Sequence, residues 1–76
     1  MDELTFNSNS SNISTVSHDG ESTLTVTFRS GRTYRYLECP VEVFHVTKAV
    51  EEQTGSCGSH FNKTIRNVYV AEEVAL

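Results

Sequence analysis

Tryptophan is missing from this 76-residue sequence, methionine and proline occur once each, and cysteine occurs twice. No run comes near the ~20 apolar residues that a membrane-spanning helix needs, so no membrane role is expected. The N-terminal stretch MDELTFNSNSSN has neither the basic start nor the apolar segment of a signal peptide. The expectation is therefore a cytoplasmic protein. In that reducing setting Cys39 and Cys57 read as small unpaired thiols rather than a disulfide. The Asn-x-Ser/Thr triplets at Asn9, Asn12 and Asn62 then carry no meaning for glycosylation. Lysine and arginine are absent outside positions 29–66: all six basic residues lie there with four acids, and the flanks hold the other six acids. The net charge of −4 argues against general polyanion binding but leaves room for a local basic face. A chain of this length makes one domain that buries about 60–65% of its unfolded surface, which leaves little room for a deep catalytic cleft.

Within those limits the chain divides simply. Residues 1–9 are rich in Ser and Asn and poor in apolar groups, so a loose tail is expected, followed by a domain over 10–71 and an acidic tail over 72–76. A first strand is expected over Asn12–His18, closed by the turn pair Asp19-Gly20. The clearest strand is Thr23–Arg29, where Leu24, Val26 and Phe28 alternate with threonines. A third, Arg32–Glu38, follows a turn at Ser30-Gly31. A two-residue loop would pair Val26 with Arg35 and place a charge on the apolar face. A three-residue loop, Ser30-Gly31-Arg32, pairs Phe28 with Tyr34 and Val26 with Tyr36 and keeps the large apolar groups together, so that register is expected.

Pro40 suits the first turn of a helix reaching about Gln53, with Gly55 as terminator. Val43, Val46 and Val50, with Phe44 and Ala49 beside them, form its apolar face, and Glu42, His45, Lys48 and Glu52 its wet side. A short second helix begun at Ser59 would bury Phe61 and Ile65, four apart. Val68-Tyr69-Val70 reads as a short closing strand or packed extended segment.

The constellations that suggest chemistry are thin. Cys57-x-x-His60 has half a zinc spacing, and a structural zinc site ordinarily shows two close pairs. The same pair is a weak cysteine-nucleophile signal, because no base and orienting group converge from separate elements. Glu51-Glu52 and Glu72-Glu73 read as solvated faces. Gly55 and Gly58 read as a terminator and a flexible connector more readily than as an anion cradle. Tyr34-x-Tyr36 has the spacing of a base-stacking platform, yet the period of two places both rings under the helix with their hydroxyls at the rim. Arg29 and Arg35 fall among threonines on the other sheet face, as diagonal neighbours, with no acid in 22–37.

The chain as a whole resembles the KTSC domain, a small module found at the C-terminus of some lysyl-tRNA synthetases and as stand-alone bacterial and phage proteins. The matching pieces are Ser10-Ser11-Asn12-Ile13, Thr23–Phe28 with Gly31, Tyr34-Arg35-Tyr36, Pro40, Val43-Phe44, Gly58, His60-Phe61-Asn62, Ile65-Arg66 and Tyr69. They run in order from about residue 9 to 70. His60 stands where the family commonly has an aromatic, Ser17-His18-Asp19 replaces a Gly-Tyr-Asp-like turn, and the Gly55–Ser59 connector looks long. The resemblance implies a small α+β fold and an RNA-binding role, with no catalytic residues to carry over.

The expected fold is α+β: a three-stranded antiparallel meander packed against one main helix, then a short second helix. The expected function is a small non-catalytic binding module. Its ligand is RNA, DNA or a nucleotide, held by Arg29, Arg32, Arg35, Asn62 and Arg66, with no metal or cofactor. The alternative is a protein-interaction module, such as a small phage-type inhibitor or accessory protein, whose acidic surface meets a basic partner.

Overall fold

The computed structural model describes residues 3–74. Among the described residues, five antiparallel strands lie in chain order across one sheet: β1 (Leu4–Asn7), β2 (Ile13–His18), β3 (Leu24–Phe28), β4 (Thr33–Tyr36) and β5 (Ala71–Val74). Both helices, α1 (Val41–Thr54) and α2 (Gly58–Thr64), fall between β4 and β5. The α+β class matches the expectation, but the sheet has five strands rather than three. β1 and β5 come from the segments expected as tails; residues 1–2 and 75–76 of those segments lie outside the described residues. β1 forms because Leu4 and Phe6 alternate with Thr5 and Asn7, and Phe6 packs edge-on against Phe44 of α1 at 5.5 Å. The closing strand begins after Val68-Tyr69-Val70, which are not a strand but lead into it from the turn that ends at Val68.

The first hairpins show how parity is managed. Ile13, Val16 and His18 of β2 are all buried, although 13 and 16 differ by an odd number. A bulge between Ile13 and Thr15 resolves the conflict by adding one residue opposite β3. At the strand's end Asp19 Oδ1 accepts the backbone N–H groups of Glu21, Ser22 and Thr23, which folds the turn around Gly20.

β3 and β4 pair Leu24 with Tyr36, Val26 with Tyr34 and Thr27 with Thr33. The expected register is thus wrong by two residues. The faces of the strand residues stand, because a shift of two preserves the alternation, but Arg29, expected on the threonine face, falls in the loop after β3. The loop is Arg29-Ser30-Gly31, with Phe28 N–H donating to Arg32 O at 2.8 Å. Three-residue hairpin loops place a left-handed residue last, and Gly31, at φ 97°, occupies that position.

Pro40 precedes α1 as its N-cap residue, and Gly55 ends it with φ 80° and an N–H bond to Glu51 O. The face that α1 buries is not the valine face. Phe44, Thr47 and Glu51 point inward, and Val46 is 51% exposed. Thr47 is accommodated because its hydroxyl donates to Val43 O at 2.7 Å. Ile13, Val16, Leu24, Val26, Tyr36, Phe44, Phe61 and Ile65 form the core, with the thiols of Cys39 and Cys57 among them. Each fully buried side chain of this kind stabilises the fold by about 1.5–3 kcal/mol relative to exposure. Among the described residues no helix is long and apolar enough to cross a membrane.

Candidate functional site

A groove of about 620 Å³ lies between α2 and the β3–β4 hairpin. Its floor is aromatic: Phe28, Tyr34, Tyr36 and Phe61. Phe61 packs edge-on against Phe28 at 5.6 Å and against Tyr36 at 5.4 Å, and Phe28 against Tyr34 at 5.8 Å. Tyr36 and Phe61 are buried by these contacts, so the ring surface left open belongs to the half-buried Phe28 and Tyr34. Asn12, Arg29, Arg32, Asn62 and Arg66 rim this floor with amides and guanidinium groups.

Four of the five residues expected to hold a ligand are therefore brought to one place. Arg35 is the exception. It alternates to the opposite face of the sheet, where its Nη2 lies 2.7 Å from Glu72 Oε1. It is no diagonal neighbour of Arg29, since Thr25 stands across from it. The pairing acid was invisible near Arg35 in sequence because it arrives from β5.

The four groove residues differ in how free they are. Arg29 donates through Nε to Ser10 O and through Nη2 to Ser8 O, both at 2.8 Å, so it clamps the chain between β1 and β2. Arg32 Nη1 lies 4.0 Å from Glu73 Oε2, an exposed pair worth little by itself. The Tyr34 hydroxyl and then Glu73 raise the pKa of this guanidinium. Arg66 makes no ion pair among the described residues, and neither the Asn62 amide nor the Arg66 guanidinium is tied to a protein partner there. Asn62 lies in the last turn of α2 and Arg66 in the turn just past the helix end, while Phe61 and Ile65 are buried. Burial pushes the Tyr36 phenol up, and the Arg66 charge partly offsets it.

Asn12 and the open ring of Phe28 were not singled out from sequence as ligand groups, and Tyr34 was weighed as a stacking ring but assigned to the core. The only sign of Asn12 was its place in Ser10-Ser11-Asn12-Ile13. Its Oδ1 accepts the Ser10 hydroxyl at 2.7 Å, which orients the amide and leaves its N–H₂ undirected toward protein.

Next to the groove a buried polar knot holds its walls together. Glu51, read from sequence as solvated, is only 7% exposed. Its Oε1 accepts from Ser8 Oγ at 2.6 Å and from Cys57 N–H at 3.1 Å, and its Oε2 accepts from Asn9 N–H at 3.0 Å. Burial pushes this carboxyl up, but those donors outweigh it and hold the group below its usual range. Gly58, expected as a flexible connector, begins α2 in close contact: a Cβ there would lie 2.7 Å from Ser10 Oγ. His60 and Cys57 do not form a metal cluster with other side chains, and no group of three His, Cys, Asp or Glu converges among the described residues.

Curated proteins gave no match. Among solved structures, the crystal structure of a KTSC domain protein from Yersinia pestis superposes with a TM-score of 0.74 at 21% identity, covering 97% of this chain and 100% of that one. The likeness confirms the α+β arrangement. The sequence model of the KTSC domain matches residues 9–69, from the Arg29-clamped segment through β2–β4 and both helices to Tyr69. The chain belongs to the KTSC domain family.

Proposed function

We propose that this protein is a non-catalytic binding module whose groove takes a nucleotide, free or at the exposed part of a nucleic-acid strand. One observation carries the reading: free guanidinium and amide donors rim an open aromatic floor in a single groove. Stacking on aromatic rings and forked donation to phosphate are the two contacts by which single-stranded nucleic acids and nucleotides are held. A volume of about 620 Å³ falls within the usual range for small-ligand pockets. The rest of the surface favours a local rather than an extended anion contact, because the chain is acidic overall.

The test is titration of nucleotides and short single strands at several salt concentrations. For a single strand, one or two phosphate contacts give a log–log salt slope of about −0.7 to −1.4. Binding with that slope, weakened at least tenfold by Arg66→Ala, supports the reading. Failure of every nucleotide and strand to bind at low salt contradicts it.

A second reading, protein interaction, is favoured by a different observation. Val68 and Val70 are 63% and 72% exposed in the segment leading into β5. It predicts a partner whose binding is lost in Val68→Asp and untouched by Arg66→Ala.

A further inference from the structure

The groove is electrically lopsided, and the lopsidedness narrows the ligand. On the α2 side Arg66 carries an uncompensated charge among the described residues, with the Asn62 amide in the last turn of the helix before it. On the β4 side Arg32 is met by the Glu73 carboxylate at 4.0 Å. Strand alternation fixes which way Glu73 faces. Residue 73 stands opposite Tyr34 in the β4–β5 ladder, and Ala71, two residues earlier, lines the groove. Glu73 therefore belongs to the groove face, whereas Glu72 stands opposite Arg35 on the other face and pairs with it.

We infer that the groove accepts a nucleoside monophosphate, its single phosphate at Arg66 and Asn62 and its base on Phe28 and Tyr34, and that Glu73 rejects a second phosphate. The inference rests on the nucleotide reading above and goes beyond it. A nucleotide inside a strand has phosphate on both sides of its sugar. With one phosphate at Arg66, the other side of the sugar is turned toward the β5 edge, where Glu73 repels a negative group and occupies the cation that would receive it. A free monophosphate avoids that conflict. The Glu73 carboxylate is an acceptor only, so it suits a ribose hydroxyl at the same place.

Nucleoside 3′,5′-bisphosphates imitate an internal strand unit and make the test simple. The four nucleoside 5′-monophosphates and their 3′,5′-bisphosphates are titrated against wild type, Glu73→Gln and Glu72→Gln. Like charges a few ångströms apart near a surface should disfavour the bisphosphate by roughly fivefold to tenfold in the wild type. Glu73→Gln should erase or reverse that preference, and Glu72→Gln should keep it. A wild-type preference for the bisphosphate overturns the inference, as does a ratio that Glu73→Gln leaves unchanged. If neither class binds, the nucleotide reading fails and this inference falls with it. If monophosphates bind without discrimination, only the role of Glu73 is lost.

Discussion

Glu51 and Ser8, 43 residues apart in sequence, share a 2.6 Å hydrogen bond inside the protein, and through it α1 holds the segment that follows β1. The same carboxylate fixes Cys57 N–H at the entry to α2, so one side chain joins three parts of the chain. Arg29 completes the tie from the other side by donating to Ser8 O and Ser10 O. The segment carrying Asn12 to the groove is therefore braced by one acid and one base.

Removing that acid should be costly. Glu51→Ala leaves a hydroxyl and two backbone N–H groups without their acceptor, and roughly 2–4 kcal/mol of stability should be lost. The sign of the pH dependence follows from the lowered carboxyl. A group held below its unfolded pKa of about 4.5 stabilises the fold above that pH and loses its effect as pH falls through the folded value. Wild type should thus lose Tm on acidification more steeply than Glu51→Gln, measured by circular dichroism melts between about pH 3 and 6.

The two tyrosines of β4 should separate. Tyr36 is 3% exposed and packs on Phe61, so Tyr36→Ala should lower stability by about 3 kcal/mol or more. Tyr34 is half-buried at the groove, and Tyr34→Ala should cost clearly less while weakening ligand stacking. Equal losses in chemical denaturation would mean that Tyr34 is core rather than floor.

The sequence showed these rings on the correct face but not against their correct partners. Alternation in Thr23–Arg29 sets a face; it does not distinguish registers two residues apart, and the deciding signal was the left-handed requirement that Gly31 meets. In α1 the valines misled. Helical spacing allowed both a Val43-Val46-Val50 face and a Phe44-Thr47-Glu51 face, and the second won because Thr47 and Glu51 find partners inside. β1 and β5 were hidden by their polarity, since each is an edge strand, β1 with alternate residues in water and β5 with Ala71, Glu72 and Glu73 all exposed. Asn62 and Arg66 were legible because a four-residue spacing beside buried Phe61 and Ile65 needs only a helix. The neutralisation of Arg35 by Glu72 was not, because ladder partners 37 residues apart leave no local trace.

Gly58→Ala should destabilise by about 1–3 kcal/mol, because the new methyl meets Ser10 Oγ and the backbone at the start of α2 must shift. Ser10→Ala removes the crowding atom, so the double variant Gly58→Ala/Ser10→Ala should recover part of the loss. Thermal melts of the two variants check this.

Both thiols should be inert in the folded protein. Burial raises Cys39 to about 11 and pushes Cys57 up as well, so the thiolate form is scarce near neutral pH. A thiol reagent at pH 7.5 to 8 should label neither cysteine rapidly until denaturant is added. Fast labelling of Cys57 without unfolding would show that the knot around Glu51 opens readily.

The most direct measurement of the central claim compares Arg66→Ala with Arg35→Ala in nucleoside 5′-monophosphate binding by calorimetry at low salt. Both changes remove one positive charge, but one guanidinium rims the groove and the other is paired with Glu72 on the far face. Both variants should melt near the wild type, because neither side chain is buried. Arg66→Ala should weaken binding at least tenfold, in line with the loss of a charge-assisted phosphate contact, while Arg35→Ala binds within about twofold of wild type. Equal weakening by the two, or no weakening by Arg66→Ala, would contradict the groove as the binding site.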